Sequence, residues 1–275
     1  MARSWEITDE AAESLAKSGN NIFLVCLRQL SVTAARYLAS SKAQYLCLDS
    51  VEELSDEVIE ALAAFKGGHL SLGILNITET QAELLSKYSA CGPVNDQDDI
   101  HNHLALNGLT DISPAAVSHL VKMASIKKFG LVLELNGLAT LSSEVATELE
   151  NFGCHLKRER DVNLQFASIT ELTPEAAHSL SKIEGGCGLT LDSVVELSVD
   201  TCEFLASIKG ASQIRIEGLS SLSIEAAKAL VPAKSQIYLN VSPSFSDEVK
   251  EALVKGEGRY LSLSTYTGWY GDDED

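Results

Sequence analysis

One apolar pattern recurs from residue 22 to the C-terminal region, at spacings of 23 to 34 residues. In each copy, apolar residues stand at offsets 0, 2, 5 and 8, and a serine or threonine follows them. The second copy reads Leu46, Leu48, Val51, Leu54 and Ser55. The copies begin at residues 22, 46, 70, 104, 133, 164, 189, 214, 237 and 261. Such a run of equivalent units predicts a solenoid, in which each unit buries its apolar side against its neighbours.

Each copy divides into a strand and a helix. The first two apolar residues alternate with period 2 and predict a short strand, while the hydroxyl residue is typical of a helix N-cap. Apolar residues three, four and seven positions after the cap lie on one helical face, and prolines stand at the first helical position in two copies, at Pro114 and Pro174. The predicted caps are Thr8, Ser31, Ser55, Thr78, Ser113, Ser142, Thr173, Ser198, Ser223 and Ser246.

Glycines close to the predicted helix ends suggest left-handed stops for several helices. They are Gly67, Gly130, Gly185 and Gly210. Two copies depart from the frame: the copy beginning at Leu70 reaches its cap one residue early, and the copy beginning at Ile237 has Ser242 at the third apolar position.

The order of strand, cap, helix and turn resembles that of leucine-rich repeat proteins. Residues 7–16 resemble more narrowly the cysteine-containing subtype found in F-box-associated proteins, although the position of its characteristic cysteine is apolar in this chain. The resemblance implies an α/β fold, a right-handed curved superhelix with about ten parallel strands on the concave face and helices on the convex face. We expect a single domain over residues 1–275, with a loop insertion at 89–103 and a C-terminal capping and acidic tail at 264–275.

The charge balance limits the classes of partner. Lys and Arg number 21 against 39 Asp and Glu, which gives a net charge of −18. A basic stripe is required to bind nucleic acid, and anionic lipid also attracts basic surfaces, so neither is expected as a partner. The sequence contains neither an apolar run of membrane-spanning length nor a signal-peptide pattern, and its six cysteines are read as free thiols in the cytoplasm.

The repeat frame identifies which side chains point away from the core on the strand side. Family members generally bind partners on the concave face, so the resemblance implies that the polar middle of this face contacts a protein. Tyr and Arg, which are typical interface anchors, occur within it. The predicted contact residues are Asn107, Glu134, Asn136, Gln165, Thr190, Asp192, Arg215, Glu217, Tyr238 and Asn240.

The insertion at 89–103 leaves several alternatives open. It contains Cys91, three aspartates and two histidines, and is interpreted as a plain insertion, a recognition loop or a metal site. The spacing fits no calcium loop, because Ile100 stands where an acidic or amide ligand is required. We therefore predict neither a metal nor a cofactor. The aromatic residues of the tail are expected to cap the last repeat, and Trp5 the first.

The sequence predicts a non-catalytic module that recognises a protein partner, and a monomer. Phosphate-binding, hydrolase and metalloprotease motifs are missing from the sequence, which argues against an enzyme. One alternative is an acidic inhibitor or immunity-type protein that blocks a basic enzyme through Glu134, Asp192 and Glu217. Another is an adaptor for a ubiquitin ligase, which the F-box-type resemblance suggests, although no F-box precedes the repeats.

Overall fold

The computed structural model describes residues 5–89, 102–125, 131–152, 162–183, 187–209, 213–256 and 261–265. Within these residues, ten strands alternate with ten helices and form one sheet whose strands follow chain order and pair in parallel. The strands are β1 (Ile22–Phe23), β2 (Tyr45–Leu48), β3 (His69–Leu72), β4 (Asn102–Ala105), β5 (Leu131–Glu134), β6 (Val162–Gln165), β7 (Cys187–Thr190), β8 (Ile214–Ile216), β9 (Ile237–Val241) and β10 (Leu261–Thr265).

The helices form a second layer in which each packs on the next. They are α1 (Asp9–Ser18), α2 (Val32–Ala39), α3 (Asp56–Ala63), α4 (Glu79–Leu85), α5 (Pro114–Ser125), α6 (Ser143–Leu149), α7 (Pro174–Leu180), α8 (Val199–Ser207), α9 (Ile224–Leu230) and α10 (Asp247–Gly256). The chain is thus an α/β solenoid of the leucine-rich-repeat type, as the repeat frame predicts. None of the described helices combines the length and the apolar character needed to cross a membrane.

The hydroxyl caps are confirmed at all ten predicted positions. Each side-chain oxygen accepts a hydrogen bond from the backbone N–H three residues later, at distances of 3.0 to 3.4 Å. One otherwise unpaired donor in each first helical turn is satisfied in this way, so the helix starts are fixed by the sequence. Pro114 and Pro174 open α5 and α7, as predicted.

The core lies between the two layers. The two apolar positions of a strand and the alanine pair of a helix are buried together, as with Leu164 and Leu189 on the strands and Ala176 and Ala177 on α7. Small alanines let the helix lie close to the sheet. The first helix differs, because Ala11 stands at the equivalent position of α1 and is exposed.

The prediction of left-handed helix ends is wrong at Gly67. Among the described residues, Gly19 alone has a positive φ, of 69°, and it ends α1. Gly67 serves a close approach instead, since a Cβ on it would lie 2.4 Å from the carbonyl oxygen of Ala43. The other three predicted stops, Gly130, Gly185 and Gly210, lie outside the described residues.

The described residues include only part of the predicted insertion and part of the predicted tail. Strand β4 begins at Asn102, so the last two residues of the predicted insertion belong to the sheet, and residues 90–101 lie outside the described part. Strand β10 includes Ser264 and Thr265, the first two residues of the predicted tail, and residues 266–275 are outside the description.

Candidate functional site

The outward-facing positions of the ten strands form the surface that we call the strand face. Adjacent strands pair without a register shift, so equivalent positions line up across the sheet as the repeat frame predicts. In the middle column Glu134 pairs with Gln165. Thr190 pairs with Arg215, and Arg215 with Tyr238. Residues one repeat apart are therefore neighbours in space.

A ring row runs across the first four strands of the strand face. It consists of Phe23, Tyr45, His69 and His103. The ring centroids of Phe23 and Tyr45 are 6.4 Å apart, those of Tyr45 and His69 are 5.2 Å apart, and those of His69 and His103 are 4.1 Å apart. Phe23 is 57% exposed and Tyr45 is 44% exposed. The row thus begins as an open aromatic surface and becomes more polar and more enclosed toward β4.

The ring row ends on the carboxylate of Glu134. The Nε2 atom of His103 lies 2.5 Å from Oε1 of Glu134, within hydrogen-bond distance. The other carboxylate oxygen accepts hydrogen bonds from the side-chain amides of Asn107, at 2.9 Å, and Asn136, at 3.3 Å. Because both carboxylate oxygens are engaged by three side chains, from the repeats of β4 and β5, Glu134 has a fixed position at the centre of this network.

Burial and hydrogen bonding shift the pKa of two groups in the network. Desolvation, and secondly the neighbouring His103, lowers the pKa of His69 to about 4. The hydrogen bond with His103 and that with Asn107 hold the pKa of Glu134 below its ordinary value, against the opposing effect of burial. At neutral pH the His69 ring is therefore neutral, and the Glu134 carboxylate carries a full negative charge.

A second acid lies beside the ring row. Asp49, at the end of β2, is exposed and accepts a hydrogen bond from the hydroxyl of Ser71 on β3. Cys47 lies on β2, between Phe23 on β1 and Ser71 on β3, and is 7% exposed. Desolvation, with a smaller effect of Asp49, raises the pKa of the Cys47 thiol to about 11. The thiol is therefore protonated at neutral pH and contributes no charge to this end of the strand face.

The opposite end of the strand face contains a different cluster, the arginine fork. The guanidinium of Arg215 donates two hydrogen bonds to the carboxylate of Asp192, at 3.1 and 2.6 Å. The same group lies 3.6 Å from a carboxylate oxygen of Glu217. This bidentate geometry neutralises Asp192 within the protein and engages Glu217 more weakly.

The ten predicted contact residues fall into distinct environments. Asn107 and Asn136 hold Glu134 and also accept hydrogen bonds from the backbone N–H groups of Asn136 and Ala167, so they organise the sheet. Thr190 is 6% exposed and offers little surface to a partner. Tyr238 is 41% exposed. Gln165, Asp192 and Asn240 are half-buried, and Arg215 and Glu217 are exposed.

The predicted set leaves out the ring row, although the frame contained a signal for it. Tyr45, His69 and His103 occupy the same column in three successive strands. Residues in one column of an in-register parallel sheet are nearest neighbours across strands. Three consecutive rings in that column could therefore have been combined into one surface before the structure was known. Within the described residues, no group of three or more His, Cys, Asp or Glu side chains is arranged to hold a metal ion.

The fold and the open strand face define a leucine-rich-repeat-like solenoid. No protein-family model matches the chain, and no curated protein matches it. Among solved structures, it is similar to a chain of the crystal structure of the Rad7 and Elc1 complex in yeast, with 13% identity and a TM-score of 0.36. The similarity covers 94% of this chain and 88% of that chain.

Proposed function

We propose that this protein is a non-catalytic recognition module that binds a protein partner on its strand face. The observation that carries this proposal is the combination of exposed rings with a fixed carboxylate network on one continuous sheet surface. Phe23 and Tyr45 offer large exposed area, and Glu134 is held in place by its neighbours. Aromatic anchors beside pre-positioned polar groups are what protein interfaces use for affinity and orientation.

The contact surface that we propose extends further toward β1 than the sequence predicted. The ring row lies on β1 to β4, whereas the predicted residues begin at Asn107, after β4. The arginine fork remains part of the proposed surface because Arg215 is exposed, whereas Tyr238 is left out because it lies beyond the fork, on β9. Thr190 is omitted on account of its burial.

The alternative function, inhibition of a basic enzyme through acidic contacts, has weaker support because of the arginine fork. Two of the three acids predicted for that role, Asp192 and Glu217, face Arg215 of the same chain. A partner's cation would have to compete with that arginine for Asp192, which reduces the gain from a new ion pair. Glu134 is the remaining acid of the three, and it lies next to the ring row.

The remaining features of the proposal follow from charge and topology. The unbroken order of ten strands supports a single domain over residues 1–275. The net charge of −18 favours a protein partner over nucleic acid. The described cysteines are free thiols, and Cys187 and Cys202 are buried with pKa values raised by desolvation to about 12. Free thiols fit a reducing compartment such as the cytoplasm.

The experiment that tests the proposal compares two charge-matched double variants as baits. One is Glu134→Ala with Arg215→Ala on the strand face. The other is Glu60→Ala with Arg36→Ala, two exposed residues on α3 and α2 of the helix layer. Each bait is used for affinity capture from lysate of the source cells, and captured proteins are quantified by mass spectrometry.

We expect a partner that the native chain and the helix-layer variant enrich equally, and that the strand-face variant retains at least about tenfold less. A loss of about tenfold corresponds to about 1.4 kcal/mol, which is modest for two interface residues. Equal enrichment by all three baits, or a loss confined to the helix-layer variant, would contradict binding on the strand face.

A further inference from the structure

The first five strands of the strand face combine exposed rings with acids that no lysine or arginine of the face offsets. The outward positions of β1 to β7, all among the described residues, contain no lysine or arginine. The first arginine of the face is Arg215 on β8, and it is already paired with Asp192. Asp49 and Glu134 therefore have no lysine or arginine beside them on the strand face, whereas Asp192 is paired with Arg215.

We propose that this end of the strand face docks a basic segment of the partner protein, with an arginine or lysine side chain lying on the rings of Phe23 and Tyr45. The proposal rests on the proposed function and names the chemistry of its partner. The carboxylate of Asp49 attracts that cation, the carboxylate of Glu134 attracts the segment further along the face, and the exposed rings supply the surface that the side chain covers.

The aromatic part of this surface suits a cation with an extended apolar stem. Phe23 and Tyr45 are stacked at an interplanar angle of 24° and present adjoining rings to solvent. A guanidinium or ammonium group over a ring face is attracted by the quadrupole of the ring, and the methylene stem covers neighbouring apolar area. Val25, which is 57% exposed, extends this apolar area at the end of β1.

The acids of this surface are held in position by hydrogen bonds. Glu134 has a lowered pKa and is bonded to neutral amides and a histidine, so no Lys or Arg of the strand face cancels its charge. Asp49 is exposed and accepts a hydrogen bond from the hydroxyl of Ser71. Both carboxylates are thus pre-oriented, which is the arrangement that attracts a basic segment.

The opposite end of the face provides an internal comparison. Tyr238 is 41% exposed and lies in the middle column as Phe23 does, but its neighbour on β8 is Arg215. A cation approaching Tyr238 would meet the guanidinium of that arginine, which already engages both acids of the fork, Asp192 and Glu217. The ring therefore has a similar exposed fraction, but the nearby acids are already paired. Tyr238→Ala is therefore a matched control for loss of an exposed ring.

The test uses a synthetic peptide of about ten residues with alternating glycine and arginine as the probe, and the corresponding glycine and glutamate peptide as its charge control. Binding is measured by isothermal titration calorimetry at about 0.05 M and about 0.5 M salt. The proteins are the native chain and the variants Phe23→Ala with Tyr45→Ala, Asp49→Asn, and Tyr238→Ala. Asp49→Asn retains an oxygen that accepts from Ser71, so it removes charge with little disturbance of the sheet.

We expect the arginine peptide to bind the native chain and to bind less tightly at the higher salt concentration. The double ring variant should weaken binding about tenfold, since two cation–π contacts are lost. Asp49→Asn should weaken it about threefold, whereas Tyr238→Ala should change it less than about twofold. Circular dichroism of each variant confirms that the fold is kept, as expected for exposed side chains.

Three results would overturn the inference. They are no binding of the arginine peptide at millimolar concentration, equal weakening by Tyr238→Ala and the double ring variant, or equal binding of the glutamate peptide. If the capture experiment with Glu134→Ala and Arg215→Ala locates a partner on the strand face and the peptide test fails, the proposed function stands and only the partner's basic character is wrong. If the capture experiment fails, the general proposal fails whatever the peptide does.

Discussion

Single residues at the turn after each strand set how closely successive repeats approach. A Cβ on Gly137 would lie 2.4 Å from the carbonyl oxygen of Asn107 and 2.5 Å from that of Leu109, both in the preceding repeat. Serine occupies the same frame position at Ser193, where its hydroxyl donates a hydrogen bond to the carbonyl of Ala167. In these two repeats the position is therefore filled either by nothing beyond the backbone or by a group that bonds across the repeat boundary.

Gly137→Ala should lower the free energy of unfolding by about 1–3 kcal/mol, because the added methyl group forces the two repeats apart. Ser193→Ala is the matched control, since it keeps the Cβ and loses one hydrogen bond, which costs about 1 kcal/mol. Urea denaturation of the two variants measures both values. A Gly137→Ala variant as stable as the native chain would show that the turn has more room than the geometry indicates.

Thiol reactivity follows the burial of the described cysteines. Cys26 is exposed, whereas Cys47, Cys187 and Cys202 are buried and have pKa values raised to about 11 or 12. The reactive species is the thiolate, so raised pKa values and burial both slow alkylation. We expect iodoacetamide at neutral pH to modify Cys26 well before the other three, as read by peptide mass spectrometry. Early modification of Cys47 would contradict its placement within the sheet.

Acid should destabilise the protein in two separate pH windows. The pKa of His69 is about 4 in the folded chain, below its ordinary 6.5, so the unfolded chain binds this proton first and stability falls as the pH drops from about 6.5 to 4. The pKa of Glu134 is lowered from 4.5, so its contribution is present above that pH and is lost as the pH falls through the folded value.

Denaturation midpoints measured across this pH range test the two assignments separately. His69→Gln should flatten the dependence between about pH 6.5 and 4, because a neutral side chain then occupies that position in both states. Glu134→Gln should lower stability above about pH 4.5 and flatten the dependence below that pH, where the native chain loses the contribution of this carboxylate. An unchanged pH profile in His69→Gln would show that other groups cause the loss of stability between about pH 6.5 and 4.

At the scale of a helix, the cap and its partner residue link one repeat to the next. Thr78 accepts from the backbone N–H of Gln81, and the Gln81 side chain accepts from the backbone N–H of Thr78 at 3.1 Å. The amide nitrogen of Gln81 also donates to the carbonyl oxygen of Leu54, in the preceding repeat, at 2.9 Å. The start of α4 is thus fixed both locally and to its neighbour.

Thr78→Ala should cost about 1 kcal/mol of stability, as is usual for loss of a hydroxyl cap. Gln81→Ala should cost a similar amount, and the double variant should cost about the sum, because each side chain bonds to a backbone N–H group that the other substitution keeps. Glu83→Ala, an exposed residue of the same helix, is the control and should stay within about 0.5 kcal/mol of the native chain. A double variant that costs clearly less than the sum would show that the two bonds are coupled.

Elements and pairing register were predictable from the sequence because they depend on local chemistry repeated many times. A cap such as Ser142 and a strand residue such as Leu133 each stand at a fixed offset, and one frame assigned both. The function of Gly67 was misjudged because glycine near a helix end satisfies two demands, a left-handed φ or a close approach, and only the packing of Phe65 and Ala43 distinguishes them. The contact of His103 with Glu134 depends on side-chain rotamers across two strands, which the frame does not contain.

At the scale of the whole molecule, stability is expected to differ between the middle and the first repeat. Each repeat contacts its neighbours, and among the described residues the first repeat packs on one neighbour, which is consistent with the exposure of Ala11 and the length of β1, two residues. In a linear array, loss of a terminal contact opens the end without opening the centre.

Ile22→Ala should therefore accelerate hydrogen exchange in α1 and β1 and leave β5 and β6 unchanged. Leu164→Ala, at a fully buried central position, should lower the global free energy of unfolding by about 2–5 kcal/mol and accelerate exchange throughout. Mass-spectrometric exchange on the two variants provides the comparison. Equal acceleration of β1 and β6 by Ile22→Ala would mean that the chain unfolds as one cooperative block.

The unshifted pairing of the strands has a consequence for the evolution of such a chain by duplication or deletion of repeats. Leu164 pairs with Leu189, as Ile214 does with Ile237, so every strand meets its neighbour through the same positions. Duplication or deletion of a whole unit in the gene would keep each ladder, each cap and the buried side of each strand. Insertion of a single residue within a strand would turn its apolar side chains outward. The chain can therefore gain or lose length in steps of one unit without loss of its fold. A unit gained or lost between β4 and β7 would change the distance between the ring row and the arginine fork.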